Sequence, residues 1–341
     1  MTTIHAETSK PYDVHIGHGL IDRITEFIPK KYDKFAVITD DNVAAFYLER
    51  VKAALPGKVQ GFIFPHGEAS KTLETVSRIY GFLSENQFSR KDCIVALGGG
   101  VVGDITGFAA ATYLRGVDFL QIPTSLLAQV DSSVGGKTGV DLPSGKNLVG
   151  AFHQPKAVII DIDTLETLPL DYFKDGLGEV IKYGLISSKE ITSLLLKNDI
   201  DSIKSDIFEI VCRCIEIKRD IVEEDEFEHG VRKILNFGHT FGHAIERLEN
   251  FTGMSHGIAV VAGMKIISKL MHNEETLDIL DRISEKYGLT REVNFTESEL
   301  AEAAMTDKKR NADSIDIIVC EEPGKATVKN ISLKELRKLC E

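Results

Sequence analysis

The sequence predicts an α/β domain with a largely parallel sheet, followed by an all-helical region. Three observations predict it. Short apolar, β-branched runs alternate with helical patterns through the first half of the chain. A glycine-rich turn joins one of these runs to a helix, and after Pro169 the apolar residues recur at helical spacing instead.

The predicted strands of the first half lie at residues 12–16, 35–39, 61–64, 93–97, 119–122 and 157–160, with helical patterns at 43–54 and 71–85. A parallel sheet of this kind binds ligands at the C-terminal ends of its strands. In the second half, Ile203, Ile207, Ile210 and Cys214 show the helical spacing. We place the boundary within residues 161–169, which gives domains of residues 1–165 and 166–341.

Composition narrows the class of protein. The chain has 341 residues, enough for two domains. With 40 basic and 52 acidic residues its net charge is −12, so no global field attracts nucleic acid or an anionic membrane, and an anionic ligand needs a local basic pocket. Five cysteines without a Cys-x-x-Cys motif argue against a disulfide framework and a thiolate metal site. We find neither a signal-peptide pattern nor an apolar run of about 18 residues and expect a cytoplasmic protein.

A glycine-rich turn follows the fourth predicted strand. Gly98, Gly100 and Gly103 fit G-x-G-x-x-G and precede a helix of small residues. Because glycine has no Cβ, the backbone can approach a pyrophosphate and present amide groups at a helix N-terminus. The motif predicts a dinucleotide site. The alternative is a tight turn without a ligand, since the motif does not follow the first strand, as it does in common dehydrogenases.

A polar stripe marks one predicted helix, residues 231–248. It consists of Arg232, Asn236, His239 and His243. Steps of four, three and four place these side chains within about 60° of one another on an α-helix. A solvated polar face is the simpler interpretation. However, Gly238 and Gly242 each disfavour the helix by about 1 kcal/mol relative to alanine, which suggests that another element packs closely there.

Histidines one helical turn apart can hold a metal ion together, so His239 and His243 are candidate ligands. Further candidates are His256, in a Ser-His-Gly sequence, and Glu179, in a turn-like Gly-Leu-Gly-Glu sequence. A glutamate and two histidines leave open positions on zinc, as catalytic sites do. Without a metal, Glu179 would be a first-turn carboxylate and His256 a residue of a helix cap.

Local cations occur in spite of the acidic composition. Lys137 and Lys146 flank a glycine-rich segment that cannot be helical, and such a loop suits a phosphate or a carboxylate. The alternative is a pair of solvated lysines. Lys218, within an apolar helical pattern, and the charged run 307–310 allow the same two interpretations.

Several motifs follow one another along nearly the whole chain. They are His66-Gly67-Glu68, Gly98-Gly99-Gly100-Val101-Val102-Gly103-Asp104, Thr124-Ser125, Asp131-Ser132-Ser133-Val134-Gly135-Gly136-Lys137, Gly145-Lys146-Asn147, Gly178-Glu179-Val180-Ile181-Lys182, Asn236-Phe237-Gly238-His239, Gly242-His243 and His256-Gly257. Together they resemble the 3-dehydroquinate synthase family, and motifs of this length and order are far more specific than the short patterns above. The resemblance implies an N-terminal Rossmann-like domain that binds NAD and a helical C-terminal domain that supplies the metal and much of the substrate site.

The resemblance also assigns roles to single residues. It implies that Glu179, His239 and His256 bind the metal, zinc or cobalt. The implied catalytic residues are His243, as an acid/base group rather than a ligand, Glu228 and Lys137. The implied NAD contacts are Asp40, Asn42, Glu68, Lys71, Gly99, Gly100, Val101, Asp104, Thr124, Ser125, Asp131, Lys146, Thr164 and Thr167. The implied substrate contacts are Arg115, Asn147, Lys182, Lys218, Arg232, Asn236 and Lys308, the last not distinguished from Lys309.

The family's substrate is a sugar phosphate, 3-deoxy-D-arabino-heptulosonate 7-phosphate. Its carboxylate and phosphate account for a cation-rich pocket in an acidic chain. The resemblance further implies a homodimer in which Arg115 reaches the neighbouring subunit's phosphate site, with no nucleic-acid or membrane partner. The alternatives are a metal-dependent polyol dehydrogenase, a related cyclase for another sugar phosphate, and an inactive NAD-binding regulator. The cations argue against the first, the matched pocket residues against the second, and the intact metal ligands against the third.

Overall fold

The computed structural model describes residues 1–308 and 313–341 and, for residues 306–308, the backbone alone. The described residues form two compact units, one of Met1–Pro169 with Lys218–Glu226 and one of Leu170–Ile217 with Phe227–Glu341. The sequence places the boundary slightly earlier, after residue 165. It gives no indication that Lys218–Glu226, the last part of a helix in the second half, belongs to the first unit.

A mostly parallel sheet organises the first unit. Its strands are β1 (Thr2–Ala6), β2 (Tyr12–Gly17), β3 (Lys34–Asp40), β4 (Lys58–Phe64), β5 (Cys93–Gly98) and β6 (Asp118–Pro123), and, after a hairpin of β7 (Lys137–Leu142) and β8 (Gly145–Phe152), β9 (Ala157–Asp161). In the described residues the seven strands of the sheet have the order β1-β2-β9-β6-β5-β3-β4, and only β1 pairs antiparallel. All six predicted strands are present. The segment between Lys137 and Lys146, expected as a loop, forms the β7–β8 hairpin.

Helices cover both faces of this sheet. They are α1 (Asp41–Val43), which continues through a π-helical turn (Ala44–Leu48) into α2 (Glu49–Ala54), α3 (Leu73–Glu85) and α4 (Gly100–Thr112). Because side chains alternate along a strand, Val37 packs into one apolar core and Ile38 into the other. Burial on both faces explains why the central strands are continuously apolar in sequence.

The strand order reverses between β3 and β5. From β3 the chain runs to the neighbouring edge strand β4, and it then crosses back to form β5 on the other side of β3. Open parallel sheets bind their ligands at such a reversal, beyond the C-terminal ends of the strands. Here β3 ends at Asp40 and β5 at Gly98, the first residue of the glycine-rich turn.

The second unit is mainly helical. Its elements are α5 (Leu170–Ser187), α6 (Lys189–Lys197), the first part of α7 (Ile207–Glu224), α8 (His239–Leu248), α9 (His256–Leu270), α10 (Glu274–Tyr287), α11 (Glu297–Lys308), β10 (Ser314–Glu322), β11 (Lys325–Ser332) and α12 (Leu333–Leu339). The antiparallel hairpin of β10 and β11 is an addition to the helical pattern read from the sequence. Among the described residues, no helix has the length and apolar composition needed to cross a membrane.

Candidate active site

Glu179 lies near the middle of α5 and is buried, with 1% of its surface exposed. The expected turn at Gly-Leu-Gly-Glu is therefore wrong, and so is the alternative in which Glu179 is a first-turn carboxylate. The glycine before it serves helix packing instead. A Cβ atom at Gly178 would lie 2.6 Å from the Cα of Gly257 in α9, so the two helices touch at their backbones.

The same contact places His256, the first residue of α9 after its N-cap Ser255. A Cβ atom at Gly257 would lie 1.9 Å from the backbone oxygen of Asp175 in α5. The Asp175 carboxylate also accepts a 2.6 Å hydrogen bond from the Gly257 amide, which satisfies a donor at the start of α9. The close approach of α5 and α9 thus brings His256 to Glu179.

The polar stripe does not lie on one helix, and that prediction is wrong. A 3-10 segment, Val231–Asn236, ends at Phe237, Gly238 takes the left-handed conformation (φ 82°), and α8 begins at His239. A Cβ atom at Gly238 would lie 2.5 Å from the Val260 carbonyl oxygen of α9. The prediction that an element packs on the two glycines of this segment is confirmed, because Gly242 also lies against the backbone of α9.

Three side chains from α5, α8 and α9 converge. The Nε2 atom of His239 lies 3.5 Å, and that of His256 3.4 Å, from the Oε1 atom of Glu179. Ligands about 2.0–2.1 Å from a tetrahedral zinc ion are about 3.3 Å apart, so this spacing fits one divalent ion. Both rings also direct Nδ1 to an oxygen, of Phe237 in the backbone at 3.2 Å for His239 and of Glu246 at 3.4 Å for His256. Such outward contacts hold imidazole ligands in place.

The electrostatics of the two imidazoles differ. Burial lowers the pKa of His239 to about 3, since the loss of hydration outweighs the attraction of Glu179. Burial also disfavours the charged form of His256, but hydrogen bonds to Glu179 and Glu246 outweigh it and raise its pKa to about 10. Lys182, 1% exposed, forms an ion pair with the second carboxylate oxygen of Glu179.

These pKa values predict the proton balance of metal binding. Near neutral pH the metal-free protein has a neutral His239 and a protonated His256, so a divalent ion displaces about one proton, from His256. Its affinity therefore falls about tenfold for each pH unit of acidification. Calorimetry of zinc binding in buffers of different ionisation enthalpy measures the number of protons released. Zinc binding without proton release would contradict the assignment, and His18→Ala, a surface variant, should leave the count unchanged.

Of the other predicted residues of the second unit, His243 lies beside the cluster, and Glu228, Arg232 and Asn236 precede α8 in the chain. His243 is exposed, and its ring centre lies 5.3 Å from that of His239 and 5.9 Å from that of His256. The Asn236 amide donates a 2.9 Å hydrogen bond to Glu228, whose φ of 62° is left-handed. Arg232 is 1% exposed. His243 is thus more open to solvent than the two histidines beside it, which are partly buried.

Comparison with known proteins assigns the chain to a family. Residues 61–175 match the family model "3-dehydroquinate synthase N-terminal" and residues 176–310 match "3-dehydroquinate synthase C-terminal". The chain belongs to the 3-dehydroquinate synthase family. A curated 3-dehydroquinate synthase of Streptococcus thermophilus is 44% identical over 344 residues, which cover 97% of each chain. That of Clostridium kluyveri is 46% identical over 341 residues, covering 96% of this chain and 94% of the relative.

Solved structures share the fold of this synthase family member. A 2-deoxy-scyllo-inosose synthase in complex with carbaglucose-6-phosphate, NAD+ and Co2+ matches with a TM-score of 0.89 and 25% identity over 99% of both chains. The 2-epi-5-epi-valiolone synthase of Streptomyces hygroscopicus, with NAD+ and Zn2+ bound, matches with a TM-score of 0.87 and 24% identity, covering 99% of this chain and 98% of that one. A probable glycerol dehydrogenase of Sinorhizobium meliloti has a TM-score of 0.62 and 16% identity, with coverage of 96% and 94%.

The glycine-rich turn of this synthase family member has the predicted strand–turn–helix context. A Cβ atom at Gly98 would lie 2.5 Å from Val102, so packing within the chain requires glycine there, whereas a Cβ atom at Gly103 would lie 2.9 Å from the movable end of the Gln121 side chain. A Cβ atom at Gly99 or at Gly100 would instead have a serine hydroxyl as its nearest neighbour, at 3.2 Å in each case. Because Gly99 is the N-cap of α4 and has no side chain, the first amides of the helix can receive a phosphate.

The predicted NAD contacts lie at the C-terminal ends of several strands. Asp40 and Asn42 follow β3, Glu68 and Lys71 follow β4, Val101 and Asp104 follow the turn after β5, Thr124, Ser125 and Asp131 follow β6, and Thr164 and Thr167 follow β9, with Lys146 in β8. Ion pairs join several of them. The Nζ atom of Lys71 lies 2.6 Å from the Oδ2 atom of Asp104, and the Nζ atom of Lys146 lies 3.7 Å from the Oε1 atom of Glu68. Burial raises the pKa of Asp104, against the effect of Lys71.

The predicted substrate and catalytic residues of the first unit are less clustered than its predicted NAD contacts. Lys218, 5% exposed, donates to the backbone oxygen of Asp131 and lies 3.2 Å from its carboxylate. Lys137 and Asn147 are exposed on the β7–β8 hairpin, and Arg115 is exposed after α4. The side chain of Lys308 and all of Lys309 lie outside the described residues.

Sequence reasoning missed two residues of the site, Asp175 and Glu246. Glu246 falls on the apolar side of the predicted helix, next to Ile245 and four residues after Gly242. A carboxylate at a buried helical position is uncommon without a partner, and this was the available signal. Asp175, three residues before Gly178, has no comparable signal, because its role depends on the contact between α5 and α9.

Proposed function

We propose that the protein is a 3-dehydroquinate synthase, which converts 3-deoxy-D-arabino-heptulosonate 7-phosphate to 3-dehydroquinate and phosphate. The observation that carries this function is the convergence of Glu179, His239 and His256 in a member of this family. One carboxylate and two imidazoles hold a divalent ion and leave room for a substrate oxygen.

The bound groups and the substrate supply much of the chemistry. A divalent ion held by Glu179, His239 and His256 would supply Lewis-acid charge to a substrate alcohol, and bound NAD would supply a hydride acceptor and donor. In the proposed reaction the substrate loses phosphate by β-elimination, for which its own phosphate group is the base. Ring opening and an intramolecular aldol reaction then close the carbocycle, and the cofactor is regenerated.

The protein's side chains bind the substrate and move its protons. The anionic substrate needs fixed cations, and the Arg232 guanidinium suits bidentate contact with an oxyanion, assisted by Lys182 and Lys218. His243 is exposed beside two partly buried histidine ligands, so it is the imidazole that exchanges protons with the substrate. Glu228 is the second proton acceptor, oriented by the amide of Asn236. Lys137, Asn147 and Lys308 complete the proposed contacts.

NAD is proposed to bind at the C-terminal ends of β3, β5, β6 and β9. The amides of Gly99, Gly100 and Val101 at the start of α4 receive the pyrophosphate. The other proposed contacts are Asp40, Asn42, Glu68, Lys71, Asp104, Thr124, Ser125, Asp131, Lys146, Thr164 and Thr167. We further propose that the protein, as an NAD-dependent biosynthetic enzyme of this family, is cytoplasmic.

The test is an assay of purified protein with NAD, zinc and the heptulosonate. We expect release of phosphate without net accumulation of NADH, because the hydride returns within each turnover. Accumulation of NADH with glycerol and no phosphate release would instead establish a polyol dehydrogenase. Turnover of glucose 6-phosphate in place of the heptulosonate would establish a cyclase for another sugar phosphate.

The proposed homodimer follows from the family resemblance, and the conformation around Arg115 is consistent with it. Leu114 and Arg115 both have left-handed backbone angles, with φ of 50° and 65°. This conformation is unfavourable for residues other than glycine. The Arg90 guanidinium donates two hydrogen bonds, of 2.9 and 2.7 Å, to the Leu114 carbonyl oxygen and stabilises this turn. An exposed arginine held in a strained turn suits a contact with the phosphate site of a second subunit.

Mixing two inactive variants tests this contact. We expect Arg115→Ala and His239→Ala each to lose most activity. Their mixed dimer should regain about half of the wild-type activity, because one of its two sites then has both an intact metal cluster and the partner's arginine. Steady-state phosphate release after co-refolding measures the gain. A mixture no more active than its components, or a protein that remains monomeric, would contradict the shared site. As a control, Arg282→Ala, which changes an exposed arginine of α10, should keep full activity.

A further inference from the structure

Glu246 is a buried carboxylate beside the metal cluster. It lies two helical turns after His239 in α8, among Phe241, Ala244 and Ile245, and 4% of its surface is exposed. A buried carboxylate is unfavourable unless a polar partner stabilises it. The Oε2 atom of Glu246 lies 3.4 Å from the Nδ1 atom of His256.

The geometry of the His256 ring shows why this contact matters for metal binding. The other ring nitrogen, Nε2, lies 3.4 Å from Glu179 on the metal side. A neutral imidazole has a lone pair on only one nitrogen, so Nε2 can bind an ion only when Nδ1 carries the proton. The Nδ1–H group then needs an acceptor, and Glu246 is placed to be that acceptor. His239 differs, since its Nδ1 faces the neutral carbonyl of Phe237 at 3.2 Å.

We propose that Glu246 is a positioning residue for the metal centre: its carboxylate accepts the Nδ1–H of His256, and thereby fixes the tautomer and the ring orientation that direct the Nε2 lone pair to the ion. A carboxylate partner also makes the imidazole a stronger electron donor than a carbonyl does. The two histidine ligands are consequently unequal. The inference rests on the proposed function only in assuming a divalent ion at Glu179, His239 and His256.

The same atoms allow one other arrangement. His243, Glu246 and His256 also come close enough to hold an ion, in which case Glu246 would be a ligand. That arrangement would take His256 through Nδ1 and give a second ion per chain at excess zinc. We favour the positioning role because Glu246 is buried in α8, whereas His243 is exposed.

Zinc affinity, measured by chelator competition on the full chain, tests the proposal without relying on activity. We expect Glu246→Gln, which keeps the shape and an acceptor oxygen but loses the charge, to weaken zinc binding about 10-fold, and Glu246→Ala to weaken it up to about 100-fold. The absorption bands of the Co2+-substituted protein should shift in both variants. The matched control is Glu249→Gln on the same chain segment, because Glu249 accepts its hydrogen bond from the Met254 amide rather than from a ligand imidazole.

Wild-type zinc affinity and an unchanged cobalt spectrum in both Glu246 variants would overturn the proposal, and so would a stoichiometry of two ions with Glu246 bound to one. If neither variant folds, nitrogen NMR of the zinc-loaded wild-type protein decides the question. We expect a protonated Nδ1 on His256, and a metal-bound Nδ1 would overturn the inference. Zinc binding as expected without phosphate release from the heptulosonate would overturn the proposed function alone.

Discussion

Replacing His239 or Glu179 by alanine is expected to abolish zinc binding and phosphate release together. Loss of an outer partner of a metal ligand already lowers affinity by about 10–100-fold. Loss of one of three ligands, which meet at 3.4–3.5 Å in the protein, should therefore exceed about 100-fold. Metal analysis after equilibrium dialysis and a phosphate assay measure the two effects. Unchanged zinc content would remove both residues from the ligand set, and His272→Ala, at a surface histidine of the same unit, should keep it.

The two variants should differ in stability. Glu179→Ala removes the carboxylate partner of Lys182, and breaking a buried ion pair by deleting one partner lowers the free energy of unfolding by about 3–5 kcal/mol. His239→Ala leaves this pair intact. Denaturant unfolding of both metal-free variants should show Glu179→Ala as clearly less stable. Equal stabilities would mean that the ion pair with Lys182 contributes little.

Replacing Gly257 by alanine should disrupt the contact between α5 and α9. The added Cβ atom would lie 1.9 Å from the backbone oxygen of Asp175, and backbone, unlike a flexible side chain, moves only if the helices separate. We expect a loss of about 1–3 kcal/mol or more in the free energy of unfolding. Because His256 is the neighbouring residue, zinc affinity should fall as well.

The matched control is the same substitution in a helix without a close neighbour. Gly81 lies in α3, and outside its own helix backbone and chain neighbours no heavy atom of the described residues lies within 4 Å of its added Cβ. Alanine there should stabilise the protein by up to about 1 kcal/mol through helix propensity, so the two variants are expected to shift stability in opposite directions. Thermal and denaturant unfolding measure both shifts. A Gly257→Ala protein as stable as the wild type, with normal zinc content, would show that the two helices separate easily.

Local patterns predicted the α/β part well. The predicted runs 93–97 and 157–160 are strands because continuous apolar, β-branched segments are stable when both faces of a parallel sheet are covered. The glycine-rich turn was also predictable, because its consequence, a helix beginning directly after a strand, is local. The break at Gly238 was not. The periodicity of residues 231–248 is helical throughout, and only the backbone of α9, packed against Gly238, gives a reason for the left-handed residue.

For the candidate metal ligands, too, the local sequence predicted some features and tertiary packing decided others. The pattern of His239 and His243 favoured these two as a pair, whereas the protein brings His239 to His256 and to Glu179, and places His243 at the side. The resemblance to a family corrected the pair, since spacing along one helix contains no information about the other helices. Glu246 and Asp175, which hold the start of α9 and its first side chain, gave no motif at all.

The sequence by itself determined the alternation of strands and helices, the glycine-rich turn and the chemical types of the ligands, because each depends on residues close together in the chain. The tertiary structure decided which of these ligands meet. Glycines at positions 178, 238, 242 and 257 let α5, α8 and α9 approach at backbone distance, and such an approach depends on the shapes of three packed helices rather than on any one of them.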